Sequence, residues 1–420
     1  MLDRTVPPQP HDIGEVSILQ AEKKLLDSGL PVYYINTGGQ EVVKLELVAN
    51  AGSKFDQKSG SSFFASKMLT EGTSGSSSTD LAQLFDFYGA QIDISPGFDY
   101  SSLTVYILRK NLSAILPILK EILVDSSFDK DELEIQKRLK RDSLTVNLEK
   151  NQFQASRKIR ETIFGENHPY GRSLNLEDIE EISREDVVTF FNHHFFNNPT
   201  MVLSGMILPT DLELIEQHLG KLKFKNQTFD ITPLRYKAQK EVLLEKEESL
   251  QSSIRLGKTA LSKSHPDYIK CLVVNEILGG YFGSRLMKNI REDKGFTYGI
   301  SSNIMNLNDG ALQVIGTDVK KEFRQQTIDE IFKEIKLLCT ERVPENELET
   351  VKNYMQGSFL SSINTPFALA DKFKAIHFHG LDYSFYQDYL STIKTITSQE
   401  ILETAQTHFR AEDYSVVVVG

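Results

Sequence analysis

The feature that most constrains this chain is an internal repeat with a period of about 215 residues. The segment FDKDELEIQKRLKRDSL, which begins at Phe128, resembles VPENELETVKNYMQGSF, which begins at Val343. Both contain Glu-Leu-Glu, at residues 132–134 and 347–349, an offset of 215 residues. Two later pairs keep this order: ISREDVVTFFNHHF with ITSQEILETAQTHF, and residues 201–205 with 416–420. A period this long indicates a duplicated domain rather than the short unit of a solenoid.

The duplication divides the 420 residues into two similar domains, predicted at residues 1–228 and 229–420. The stretch Phe224–Lys237 has few periodic residues and is the predicted linker. Between Val43 and Ala49, apolar residues alternate with Lys44 and Glu46, a pattern typical of a half-buried strand. Residues 103–107 and 312–314 alternate in the same way.

Helical periodicity is grouped along the chain rather than alternating strictly with strands. This grouping favours an α+β fold over a doubly wound sheet. The predicted helices are Ser61–Leu69, Asn111–Leu123, Lys130–Leu148, Tyr268–Leu278, Phe323–Leu338 and Glu345–Leu360.

Composition excludes several classes of function. The net charge of −11 argues against a nucleic-acid or anionic-membrane partner, and no apolar run is long enough to span a bilayer. The first residues do not resemble a secretory signal, so the chain as given is expected to be cytoplasmic, or periplasmic if a leader was removed. Cys271 and Cys339 fit no zinc spacing and are expected to pack as small apolar residues.

The stretch Gly279–Tyr298 brings together more candidate chemistry than any other. Ser284 is a candidate helix cap and Gly295 a candidate left-handed stop, which places Arg291 in the last turn of a short helix. Reversal of the chain at the glycine then allows Tyr298 to lie near the guanidinium. A guanidinium beside a phenol can hold a peptide carbonyl or carboxylate. The alternative is a solvated arginine and a tyrosine in a sheet.

Short motifs across nearly the whole chain carry a family resemblance. They are LDSGLPVYYIN, VANAGSKFDQKSG, MLTEGT, NHPYGRS and the stretch Gly279–Tyr298. In this order and spacing the chain resembles the pitrilysin/insulinase group of zinc peptidases (inverzincins), specifically short bacterial members similar to mitochondrial processing peptidase. The resemblance implies an α+β fold of two tandem homologous domains. Each would be an antiparallel sheet with helices on one face, and together they would form a clamshell around an unfolded peptide.

Active relatives in this group carry H-x-x-E-H, in which two imidazoles bind zinc and the glutamate activates water. When MLTEGT is used as the anchor, this motif falls on Phe63, Ser66 and Lys67, and the third ligand of the family falls on Ser143. A phenyl ring and an ammonium group cannot bind a dication, and a serine hydroxyl is a poor base near neutral pH. No metal and no catalytic residue are therefore expected in this chain.

The sequence contains two other candidate ligand sites. His377 and His379 are the best remaining metal candidate, because they would share a face if their segment were a strand, but a partly buried or solvated pair is favoured. Gly279, Gly280 and Gly283 match no phosphate-binding motif and are interpreted as a tight turn.

The resemblance assigns substrate binding to Arg291 and Tyr298, which keep the family's spacing of seven residues. Arg291 would bind a main-chain carbonyl of the substrate, and the Tyr298 hydroxyl would help to stabilise the oxyanion. The leading hypothesis is a non-catalytic, substrate-binding subunit of a heterodimeric zinc endopeptidase that acts on unfolded peptides. A homologous H-x-x-E-H subunit would be the partner and would hold the zinc, and a homodimer is possible without it. The alternatives are a scaffold protein of the same fold and an independent hydrolase with a relocated metal.

Overall fold

The computed structural model describes Gly14, residues 16–225 and residues 240–420. The predicted linker Phe224–Lys237 lies outside these residues except for its first two positions. Within the described ranges, none of the helices combines the length and apolar character that a membrane span requires. Cys271 and Cys339 are both free thiols.

The described residues of the first half form a six-stranded sheet and eight α-helices. The strands are β1 (Glu22–Leu25), β2 (Pro31–Asn36), β3 (Val42–Ala49), β4 (Gln91–Pro96), β5 (Ser101–Leu108) and β6 (Thr200–Gly205). The helices are α1 (Ser61–Lys67), α2 (Ser78–Phe87), α3 (Leu112–Asp125), α4 (Lys130–Leu148), α5 (Asn151–Phe164), α6 (Leu176–Glu181), α7 (Arg184–His194) and α8 (Pro209–Leu219).

From residue 240 onward, the second half forms a five-stranded sheet and six α-helices. The strands are β7 (Glu241–Leu244), β8 (Gln251–Thr259), β9 (Ile300–Leu307), β10 (Gly310–Lys320) and β11 (Ser415–Val419). The helices are α9 (Tyr268–Asn275), α10 (Arg324–Thr340), α11 (Glu345–Ser361), α12 (Pro366–His377), α13 (Ser384–Thr395) and α14 (Ser398–His408).

The two sheets have the same topology. The first has the order β1-β2-β6-β3-β5-β4 and the second β7-β11-β8-β10-β9, so β2, β6, β3, β5 and β4 correspond to β7, β11, β8, β10 and β9. All neighbouring strands pair antiparallel except β2 with β6 and β7 with β11, which are parallel. The predicted α+β fold of two tandem, homologous halves is confirmed.

Each sheet packs one face against helices of its own half, as predicted. The main core of the first half joins the sheet to α1, α3, α7 and α8, and that of the second half joins the sheet to α9, α10, α11 and α14. These contacts bury apolar side chains from both layers and stabilise each half in the usual way of an α+β layer pair.

The other face of each sheet is covered by a helix from the opposite half, which sequence analysis did not predict. Ala155, Ile159 and Ile163 of α5 pack in one cluster with Leu312, Val417 and Val419 of the second sheet. In the same way, Leu369, Ala370 and Phe373 of α12 pack with Ile35 and Val202 of the first sheet. The exchange is reciprocal, because each half contributes one helix to the other. The two helices are equivalent in the repeat, since α5 and α12 begin 215 residues apart.

The exchange corrects the prediction that β3 is a half-buried strand. Lys44 and Glu46 are each only 5% exposed. The Nζ atom of Lys374 on α12 lies 2.6 Å from a carboxylate oxygen of Glu46, and Lys44 lies 3.1 Å from the other oxygen. The polar residues of β3 therefore face a helix instead of water, and they are paired there because a buried charge without a partner is costly.

Candidate functional site

The start of α1 is fixed by Asp56. Its carboxylate accepts hydrogen bonds from the backbone N–H groups of Gly60, at 3.0 Å, and Ser62, at 2.7 Å. Gly60 adopts a φ of +93°, a left-handed conformation that glycine accepts without strain. Burial raises the pKa of Asp56 to about 6, and the two backbone N–H groups oppose this shift.

The three residues at the position of the zinc motif lie on α1, in environments unsuited to a metal. Phe63 packs edge-to-face on Phe64, with ring centroids 5.2 Å apart. The Ser66 hydroxyl is fully buried and donates to the Ser62 carbonyl oxygen at 2.8 Å. The Lys67 ammonium donates to the Ile94 carbonyl oxygen at 2.9 Å. Each side chain is therefore held by its own packing or by a main-chain oxygen.

Ser143, at the third ligand position, lies on α4 and is exposed. Its hydroxyl accepts a hydrogen bond of 3.4 Å from Asn147. The residues of α4 that line a cavity together with Phe63 are instead Lys140 and Leu144. The Lys140 ammonium lies 4.0 Å from the centroid of the Phe63 ring.

The zinc ion that the family uses does not fit these residues. Neither Phe63 nor Lys67 has a lone pair for a cation in its ordinary charge state, and Ser66 already donates its proton to a carbonyl. Among the residues that the structure describes, no group of three His, Cys, Asp or Glu side chains is arranged to hold a metal ion.

The His377/His379 hypothesis required a strand, but His377 ends a helix and His379 lies in the turn that follows. His377 is the last residue of α12, and its ring packs against Tyr33 and Phe373 at centroid distances of 4.6 and 4.9 Å. Burial lowers the pKa of both histidines. The alternative interpretation applies, since both histidines are partly buried.

Arg291 lies near the end of a short helix that begins at Arg285 and widens into a π-helix over Met287–Asp293. Gly295 has a φ of +66° and ends the turn, as predicted. The prediction that Ser284 caps this helix is wrong. The Ser284 hydroxyl is buried and makes no hydrogen bond within the described part of the chain, so the helix starts without a side-chain cap.

Arg291 and Tyr298 are brought together through the main chain. The Arg291 Nε atom donates to the Tyr298 carbonyl oxygen at 3.0 Å, and the guanidinium carbon lies 4.5 Å from the centroid of the Phe282 ring. The side chain of Tyr298 is 98% exposed, and that of Phe282 is 64% exposed. Tyr298 precedes β9 by two residues instead of lying in it. Phe282 was not among the predicted site residues, although an aromatic residue in a glycine-rich turn is a recognisable signal of a ligand contact.

The two parts of the candidate site are not in contact within this chain. Over residues 16–225 and 240–420, no hydrogen bond, ion pair or ring contact joins Arg291 or Tyr298 to α1. The exposed Tyr298 hydroxyl likewise has no protein partner among the described residues. The phenol and the outer face of the guanidinium are therefore available to a ligand.

A cavity of about 310 Å³ adjoins Phe63. We call it the basic cavity, because Lys140, Arg157, Arg160 and Arg172 line it. Sequence analysis did not identify these residues as a group, since they come from α4, α5 and the loop after α5.

Comparisons with known proteins show which family of sequences the chain is similar to. Family models described as "Insulinase (Peptidase family M16)" and "Peptidase M16 inactive domain" match residues 32–175 and 181–355. The chain is 24% identical to the "Uncharacterized zinc protease YmxG" of Bacillus subtilis, over 80% of this chain and 83% of that protein. It is 22% identical to the "Non-peptidase homolog YmxG" of Helicobacter pylori, over 93% and 92%.

Among solved structures, the fold is similar to that of a "peptidase M16 inactive domain" from Pseudomonas fluorescens. The TM-score is 0.86 at 22% identity, covering 96% of this chain and 98% of that one. The two family models together span most of the chain, and its donor groups do not suit zinc. The chain thus belongs to the insulinase family, peptidase family M16.

Proposed function

We propose that this chain is the non-catalytic, substrate-binding subunit of a heterodimeric zinc endopeptidase that acts on unfolded peptides. A separate, homologous chain with an intact H-x-x-E-H motif would supply the zinc and the general base. The observation that carries the proposal is the contrast between the two parts of the site. Residues unsuited to zinc stand at the motif, whereas Arg291 and Tyr298 are presented to solvent.

The geometry around Arg291 supports a peptide-binding role. Its Nε atom donates a hydrogen bond to the Tyr298 carbonyl oxygen, and this bond helps to hold the guanidinium group close to the Phe282 ring. Among the described residues, the only polar partner of the terminal nitrogens is Glu292, at 3.8 Å and 46% exposed, so these nitrogens can donate to a main-chain carbonyl of a substrate.

Tyr298 would act beside Arg291 as a neutral donor. Its hydroxyl could stabilise the negative charge that develops on a peptide carbonyl oxygen during hydrolysis at the partner's zinc. The side chains of Tyr298 and Phe282 are both exposed, as expected for a surface that is covered when substrate binds.

The test combines this chain with the homologous H-x-x-E-H chain encoded in the same organism, and follows cleavage of a quenched fluorogenic unfolded peptide. This chain alone should be inactive, and the mixture should be active. Tyr298→Phe should lower kcat by about 100- to 1,000-fold, because it removes one oxyanion donor. Arg291→Ala should raise KM, because it removes a substrate contact.

Lys288→Ala is the matched control, since Lys288 is exposed on the same helix. It should leave turnover unchanged. Tyr298→Phe should also leave the melting temperature unchanged, because the hydroxyl makes no hydrogen bond within the described chain. Full turnover by both site variants would support a scaffold instead. Stoichiometric zinc on this chain alone would overturn the proposed division of labour.

A further inference from the structure

Four cationic side chains line the basic cavity without an anionic partner. Within the described residues, none of Lys140, Arg157, Arg160 and Arg172 has a carboxylate oxygen within 4.0 Å of its nitrogens. By contrast, Lys54 is paired with Asp99 at 3.0 Å. Four like charges that share one nearby carboxylate, Asp56, repel one another, so the cavity is expected to attract an anion.

Three of these cations are held in position by aromatic rings. Lys140 lies over Phe63 at 4.0 Å, Arg160 over Phe98 at 5.3 Å and Arg157 over Phe153 at 5.6 Å, each measured to the ring centroid. These contacts orient the charges without neutralising them, since a phenyl ring carries no net charge. The cavity therefore combines fixed positive charge with apolar walls.

Arg160 has hydrogen-bonding capacity left over. Its two terminal nitrogens donate to the Ser156 carbonyl oxygen at 3.1 Å and the Ser173 hydroxyl at 3.2 Å. Its Nε atom is buried and has no acceptor among the described residues. A buried N–H group without a partner is costly, and an anion in the cavity could satisfy it. Burial, followed by the charge of Arg157, lowers the pKa of Arg160.

The acidic residue of the cavity lining, Asp56, does not balance the charge. Its carboxylate oxygens are engaged by the backbone N–H groups of Gly60 and Ser62. Arg172 donates to the carbonyl oxygen of Asp56, at 2.9 Å, and not to its carboxylate. Even if Asp56 is fully ionised, the lining carries four cations and one anion, while Glu161 and Asp178 act on Arg157 from outside the lining.

We propose that the basic cavity is a binding site for a carboxylate on an apolar stem, as carried by the C-terminus or an acidic side chain of a peptide. The guanidinium groups of Arg157 and Arg160 and the ammonium of Lys140 would bind the carboxylate. Phe63, Phe98 and Phe153 would contact the stem. Where the family places a zinc ligand, this chain thus has one wall of an anion site.

The walls favour a carboxylate over free phosphate. Phosphate is hydrated on all sides and gains nothing from three phenylalanine rings, whereas a side chain or terminal residue buries apolar surface against them. The volume of about 310 Å³ is at the lower end of ligand pockets and suits one or two residues. This proposal deepens the peptide-binding function proposed above, but it concerns the isolated chain and needs no partner.

The experiment measures binding of fluorescein-labelled Ala-Ala-Ala-Ala-Ala-Phe to the full chain by fluorescence anisotropy. The free acid should bind at least about tenfold more tightly than the C-terminal amide, because charge-assisted hydrogen bonds are lost in the amide. A third peptide, amidated and with glutamate at the last position, distinguishes a side-chain carboxylate from a terminal one. Inorganic phosphate is the competitor.

Lys140→Gln and Arg157→Gln should each weaken binding of the free acid by about tenfold or more. Arg138→Gln is the control, because Arg138 is exposed on α4 and does not line the cavity. It should change affinity less than twofold. Circular dichroism melts confirm that the variants are folded, and binding by the unaltered chain should weaken as NaCl is raised.

Equal binding of the acid and both amides, or no binding at millimolar peptide, would overturn the proposal. Displacement of the peptide by phosphate at equal or lower concentration would instead identify a phosphate site and overturn the carboxylate assignment. Because this test uses the isolated chain, its failure is separate from a failure to activate a partner peptidase.

Discussion

The ion pair between Lys374 and Glu46 gives a sharp test of how the two halves are held together. The Lys374 ammonium lies 2.6 and 2.7 Å from the two carboxylate oxygens of Glu46. The side chain of Glu46 is 7% exposed and that of Lys374 is 19% exposed, so the pair is largely removed from water. Lys374→Met keeps the length and packing of the side chain but removes its charge.

The expected loss of stability in Lys374→Met depends on the cationic partner that Glu46 keeps. Removing one partner of a buried pair costs about 3–5 kcal/mol when the remaining charge has no other partner. Here Glu46 keeps Lys44 at 3.1 Å, so we expect the free energy of unfolding to fall by about 2–3 kcal/mol. Burial lowers the pKa of Lys44, but Glu46 and Asp371 outweigh this and raise it, so Lys44 remains charged.

The assay is urea unfolding followed by circular dichroism, with Lys333→Met as the control. Lys333 pairs with Glu330 at 3.3 Å, but it is 59% exposed, and its loss should cost less than about 1 kcal/mol. In a double-mutant cycle, Lys374→Met and Glu46→Leu together should cost about 1–3 kcal/mol less than the sum of the single changes. A cost for Lys374→Met no larger than that for Lys333→Met, or a fully additive cycle, would refute the reasoning.

Two further predictions concern packing and pH. Gly257→Ala should lower the free energy of unfolding by about 1–3 kcal/mol, because its Cβ would lie 2.8 Å from side-chain atoms of Ile159 and Ile163 on α5. Gly357→Ala, in α11 with no atom within 4 Å of the added Cβ, should be neutral or stabilise by about 0.5–1 kcal/mol. Both are measured by urea unfolding. For Asp56, the folded-state pKa of about 6 exceeds its ordinary value of 3.8. Its contribution to stability is therefore complete below about pH 4 and is lost as pH rises through 6. Relative to Asp56→Asn, the unaltered protein should lose up to about 3 kcal/mol between pH 4 and pH 7.

Each of these predictions has a clear contrary result. Equal effects of the two glycine substitutions would mean that close approach of α5 to β8 does not limit packing at Gly257. A stability difference between Asp56 and its asparagine variant that stays constant from pH 4 to pH 7 would mean that the carboxyl is solvated in the folded protein.

The local elements were predictable because their signals are local. The predicted helix Lys130–Leu148 has the observed bounds of α4, since Asp129 caps its first turn by accepting from two backbone N–H groups. The long repeat likewise predicted two homologous halves, and the second half of the chain indeed repeats the sheet order of the first.

What could not be predicted depends on contacts between distant residues. Alternation in β3 placed Lys44 and Glu46 in water, but Asp371 and Lys374 on α12 cover them from more than 300 residues away in the sequence. The basic cavity is similar, because its cations belong to separate elements and no single window of the sequence contains them all. Arg291 and Tyr298 were predicted to lie together, but sequence alone did not show that the link is a main-chain carbonyl.

The reciprocal exchange of α5 and α12 has a consequence for how the chain is made. During synthesis the first sheet emerges with the face of Ile35 and Val202 uncovered, and that face stays uncovered until residues 366–377 have been added. The apolar face of α5 must likewise wait for a sheet whose last strand ends at Val419. Domains usually fold in turn as they leave the ribosome. Here neither sheet can cover its second face until residues of the other half have been made, so we expect the two halves to complete their folding together.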